Sequence, residues 1–84
     1  MMSNSKSISF ENREKYIALG LNIAFYRRQA GLTQEDLAER TDISRSHLSA
    51  IEAPNVIRPF SLEILFNIAD VLHVHPGSLL EWRD

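Results

Sequence analysis

Between residues 44 and 50 the chain reads Ser-Arg-Ser-His-Leu-Ser-Ala. If that segment is helical, Arg45, Ser46, Ser49 and Ala50 face outward around a buried Leu48, with His47 at the edge. A guanidinium carries fixed paired donors that fit guanine O6 and N7, a contact worth about 1–3 kcal/mol of discrimination. Ser46 and Ser49 supply hydroxyls for bases or phosphate, and Ala50 offers a methyl to thymine. A short polar face with one arginine near a helix N-terminus has the size and chemistry to enter a DNA major groove. Gln34 is the second candidate. It falls in the first turn of the preceding helix, beside Thr33, where its side chain and the N-terminal backbone amides are expected to hold a phosphate.

These groups need two short helices and a sharp turn, and the stretch Leu-Thr-Gln-Glu-Asp-Leu-Ala-Glu-Arg-Thr-Asp-Ile-Ser-Arg-Ser-His-Leu-Ser-Ala-Ile-Glu over 32–52 reads that way. Thr33 is a good N-cap with Asp36 three residues on, the spacing of a capping box. Leu37 and Ala38 form the buried side of the first of these helices. The turn over 41–43 calls for a left-handed residue, and Asp42 is of the few types that tolerate one. Ser44 caps the second helix, whose inner residues are Leu48 and Ile51.

Further helices are needed to carry this unit. A long one is predicted over 11–30, ending at Gly31 as a C′ residue. Tyr16, Leu19, Ile23, Tyr26 and Ala30 make its main apolar stripe, and Ile17, Leu21 and Phe25 a second one. Two readings of the second stripe stand: it packs on Phe10 or a C-terminal helix, or it meets another subunit. Ser61 caps a fourth helix with Glu63 in its first turn and Leu62, Leu65, Ile68, Ala69 and Leu72 as its core stripe. Ile64 and Val71 lie off that stripe. His75-Pro76 opens a last short helix bearing Leu79, Leu80 and Trp82. Residues 1–9 read as a flexible arm and 10–84 as one domain.

The pattern of Gln34, Ala38, Ile43, Leu48 and Ile51 resembles the helix-turn-helix of the Cro and phage-repressor (XRE) family. The resemblance continues through Ser61-Leu62-Glu63, Ile68-Ala69 and Leu79-Leu80, covering roughly residues 19–82. Asp42 departs from it, standing where the family usually has glycine, and Ala53-Pro54 replaces a common Arg/Asn-Gly. The resemblance implies an all-α, five-helix, lambda-repressor-like DNA-binding domain. It further implies that Arg27 pairs with Glu52 as a structural ion pair, and that the loop bearing Asn55 and Arg58 touches the DNA backbone.

The expectation is therefore a sequence-specific transcriptional regulator acting on double-stranded DNA as a homodimer at a palindromic operator. Ile64, Val71, Leu79 and Trp82 are the surplus apolar residues expected to form the two-fold interface. Three alternatives remain open: an antitoxin, a restriction–modification controller of the same fold, or a protein-interaction module that no longer binds DNA. The last draws on the net charge of −2, against which Gln34 and Arg45 weigh. Arg27, Arg28, Arg40, Arg45 and Arg58 sit in or beside the motif, so the charge is expected to divide between a basic and an acidic face. There is no cysteine, no membrane-length apolar run and no apolar signal core, which fits a cytoplasmic protein without a membrane. His73 and His75 have no third ligand of matching spacing, so no metal or cofactor is expected. No nucleophile elbow or glycine-rich phosphate loop exists either, and the chain does not read as an enzyme.

Overall fold

Capping chemistry fixes where the helices begin. In the computed structural model, which describes residues 9–81, five helices are present: α1 (Phe10–Gln29), α2 (Gln34–Thr41), α3 (Arg45–Glu52), α4 (Leu62–Leu72) and α5 (Pro76–Leu79). Thr33, Ser44 and Ser61 each accept a backbone N–H from the third residue of the helix that follows. At α2 the box is reciprocal: the Asp36 N–H donates to Thr33 Oγ1 and the Thr33 N–H to Asp36 Oδ2, both at 3.0 Å. Pro76 starts α5, where its missing N–H costs nothing.

Left-handed residues end three of the helices. Gly31 (φ +76°) follows α1, and the Leu32 N–H reaches back to the Arg27 carbonyl at 3.1 Å. Asp42 (φ 60°) does the same for α2, with the Ile43 N–H on the Ala38 carbonyl. His73 (φ 59°) does it for α4, with the Val74 N–H on Ala69. These tight reversals are what allow such short helices to pack on one another.

The most deeply buried side chains are Ile23, Leu37, Leu48, Ile68 and Leu79, one from each helix. Full burial of each contributes about 1.5–3 kcal/mol. Two contacts set the frame around them. Gly20 lies directly against the backbone carbonyl of Ile51, so α1 and α3 meet with no side chain between them. Asn22, itself buried, donates from Nδ2 to the carbonyls of Leu79 at 3.0 Å and Glu81 at 2.6 Å, fastening α5 to α1.

The structure corrects three expectations. Leu79 is fully buried and belongs to the core of its own chain, so it is not part of an intersubunit face. Leu62, expected in the core stripe, stands 65 % exposed at the first position of α4. Ala30 is exposed as well, α1 having ended at Gln29. The arm expected over residues 1–9 and Trp82 fall outside the described residues, save Ser9, which caps α1 without a side-chain bond. Among the described residues, no helix is long and apolar enough to cross a membrane.

Candidate nucleic-acid interface

The α3 helix divides cleanly. Leu48, Ile51 and Glu52 are buried, whereas Arg45, Ser46 and Ser49 are exposed. Ser49 lies three and four residues from Ser46 and Arg45, which makes the three one patch over the first five positions of the helix. Ser44 organises its beginning: its Oγ accepts from the His47 N–H at 3.0 Å and lies 3.3 Å from Ser46 Oγ. His47 and Ala50 are half-buried at the margins of the patch. Thr33 is exposed at the start of α2, and Asn55 and Arg58 are exposed on the loop leading to α4.

A buried carboxylate holds this patch in place. Glu52, the last residue of α3, accepts Arg27 Nε at 2.8 Å on Oε2 and Arg27 Nη2 at 3.0 Å on Oε1. The two side chains are only 9 % and 4 % exposed. Arg27 also donates from Nη1 to the Leu32 carbonyl at 2.8 Å, past the end of α1. A bidentate pair of this kind fixes orientation as well as charge, and removing either partner would leave the other buried and uncompensated. Gln34 adds a third donor, Nε2 to Glu52 Oε1 at 2.9 Å. One carboxylate thus ties the end of α1, the start of α2 and the end of α3. The carboxylate acceptor also fixes which way the Gln34 amide points. One of its N–H groups is engaged internally, leaving the second N–H and the carbonyl for an outside partner.

Charge around the patch is mixed. A groove between α2 and the start of α3 is lined by Glu35, Asp36, Ala38, Glu39, Ile43 and Arg45. Hydrogen bonds from Thr33, its backbone N–H above all and then its hydroxyl, hold the Asp36 carboxyl below the ordinary aspartate range. Arg28, Arg40 and Arg58 are exposed nearby in sequence. Among the residues expected at a subunit interface, Ile64 and Val71 are half-buried against the chain's own core, as Leu79 is wholly.

Sequence reasoning missed the Gln34–Glu52 bond and the Gly20 contact. The first had no local signal, since 18 residues separate the partners. The second had one: a glycine inside a long helical pattern costs about 1 kcal/mol against alanine, which points to a packing reason.

The helix-turn-helix family model matches residues 23–79. The chain is 33 % identical over 66 residues to the HTH-type transcriptional regulator SinR of Bacillus licheniformis, a match covering 79 % of this chain and 59 % of that protein. It thus spans under two thirds of that relative's length. Among solved structures, the restriction-modification controller protein C.AhdI from Aeromonas hydrophila superposes with a TM-score of 0.73 at 27 % identity, covering 79 % of this chain and 97 % of that one. SinR, the master regulator for biofilm formation, solved in complex with DNA, superposes with a TM-score of 0.69 at 33 % identity, covering 75 % of this chain and 98 % of that one.

Proposed function

The chain belongs to the helix-turn-helix family, and from that premise we propose that it is a cytoplasmic transcriptional regulator that binds double-stranded DNA sequence-specifically, as a homodimer on a palindromic operator. The observation that carries this reading is the exposed Arg45–Ser46–Ser49 patch on a helix whose other side is locked by Glu52. In this reading α3 enters the major groove and Arg45 pairs with a guanine, while Ser46 and Ser49 bond bases or phosphate and Ala50 meets a thymine methyl. Thr33, Gln34 and the amides at the start of α2 grip a phosphate, with Ser44, His47, Asn55 and Arg58 at the backbone on either side. SinR, which shares this fold at 33 % identity, has been solved in complex with DNA.

A single patch of three or four side chains reads few base pairs. Two copies on half-sites about 34 Å apart double the readout. With a net charge of −2, each copy neutralises few phosphates, so the salt dependence is shallower than for a basic repressor. The test is a titration of duplex DNA from upstream of the chain's own gene against scrambled DNA of equal length. Preferential binding of two chains per duplex supports the reading, and equal affinity for both duplexes overturns it.

Control of a restriction–modification operon is a second reading, favoured by one observation: the restriction-modification controller protein C.AhdI superposes on this chain with a TM-score of 0.73 at 27 % identity. An operator in front of a restriction endonuclease gene would select it.

A further inference from the structure

A cavity of about 370 Å³ opens between the first half of α1, the end of the loop before α4, the start of α4 and Leu80. That volume falls within the roughly 300–1,000 Å³ of small-molecule sites, which are concave and mostly apolar with a few placed polar groups. The α3 patch contributes nothing to it.

Asn12, Lys15, Tyr16 and Leu19 form its α1 side. Their spacing puts all four on one stripe of the helix, about 10 Å long. Polarity falls along that stripe. Asn12 and Lys15 are exposed, Tyr16 is half-buried and Leu19 is buried, as is Leu65 on the α4 side. Leu62 and Leu80 add apolar surface that faces water in the empty cavity. An occupant with an apolar body would cover both, which is favourable in proportion to the area removed from water.

The polar end selects the charge of that occupant. Among the described residues lining the cavity there is one cation and no carboxylate, in a chain whose net charge is −2. Lys15 Nζ donates to Asn12 Oδ1 at 3.2 Å. An ammonium group has no acceptor, so Asn12 turns its carbonyl to Lys15 and keeps its amide N–H groups for another partner. Both residues therefore offer donors at the exposed end. An anion fits there, and a second ammonium does not.

We propose that this cavity binds a small amphipathic carboxylate, an organic acid whose charged end pairs with Lys15 and whose apolar body lies between α1 and α4. The site goes beyond the DNA-binding reading and stands without it. Phe60 and Ser61, which also line it, end the loop that carries Asn55 and Arg58.

Titration of the full chain with octanoate, followed through its backbone amide chemical shifts, tests this. Saturable shifts are expected at Lys15, Tyr16, Ser61, Leu62 and Leu80, at roughly millimolar octanoate. Octanol and octylamine, which share the apolar body, bind more weakly. Lys15→Met weakens octanoate about fivefold, the upper end for an exposed charge pair, and leaves octanol unchanged. Leu62→Glu sets a carboxylate at the cavity and abolishes octanoate binding, while circular dichroism shows the fold intact. Phe66→Glu, on the same helix but outside the cavity, binds octanoate as the native chain does. Shifts that never saturate, octylamine binding as tightly as octanoate, or either cavity variant binding octanoate like the native chain would each overturn the proposal. Shifts at these residues that follow protein concentration while octanoate has no effect would mean that a second copy fills the space, which overturns it as well. The DNA titration above is independent of every one of these outcomes, so the two readings fail separately.

Discussion

Gln34 donates its side-chain amide to Glu52 at 2.9 Å, on the same carboxylate oxygen that accepts Arg27 Nη2. A group at the start of α2 is thereby coupled to the helix that carries the reading residues, through a charge that Arg27 neutralises. The geometry of the motif depends on an ion pair outside the exposed patch.

Arg27→Met should therefore lower stability by about 3–5 kcal/mol, since it leaves a buried carboxylate unpaired. The adjacent Arg28 is exposed, and Arg28→Met should stay within about 0.5 kcal/mol of the native chain. Urea denaturation of both variants measures the difference. Equal, near-zero losses would mean that the Arg27–Glu52 pair contributes no stability.

Gly20→Ala should be among the more damaging single-methyl changes in this chain. The added carbon meets the Ile51 carbonyl, a backbone atom that cannot rotate away, so α1 and α3 must separate. A loss of about 3 kcal/mol is expected, at the upper end for overpacking. Gly77→Ala is the control, with nothing within 4 Å of its new methyl. Thermal melting of the two variants should show a large drop for the first and none for the second.

The contrast between these positions explains what the sequence could reveal. Thr33, Ser44, Ser61, Gly31 and Asp42 announce helix ends because each acts on backbone groups within a few residues. The exposed patch follows from helical spacing once those ends are known. His73 gives no such notice. Its left-handed conformation is imposed where α4 turns into α5, not by any preference of histidine. Leu79 looked surplus because single-helix periodicity cannot see Asn22, 57 residues earlier, drawing α5 onto α1. Leu62 erred in the opposite sense: it fits the apolar spacing of α4 yet stands 65 % exposed at the helix's first position, which spacing alone does not reveal.

The capping box at α2 has its own pH signature. The Asp36 carboxyl titrates below the ordinary aspartate range when folded, chiefly because the Thr33 N–H bonds to its charged form. A depressed folded value means that its contribution is complete above the unfolded value and is lost as pH falls through the folded one. The stability difference between the native chain and Asp36→Ala should thus hold constant from neutral pH down to the ordinary aspartate range and close only in stronger acid. Denaturation curves across that range measure it. A gap that closes near neutral pH would assign the effect to another group.

Selection on randomised DNA with the native chain, Arg45→Ala and Gln34→Ala tests the central claim most directly. Arg45 is exposed in the first turn of α3, so Arg45→Ala should weaken the selected site by about 1–3 kcal/mol and relax preference at one position of each half-site, a guanine. Gln34→Ala should weaken all sequences to a similar degree and leave the preferred site unchanged. If Arg45→Ala selects the same sequence as the native chain, with the same preference at every position, then Arg45 does not read the DNA and the account of α3 as the reading helix is contradicted.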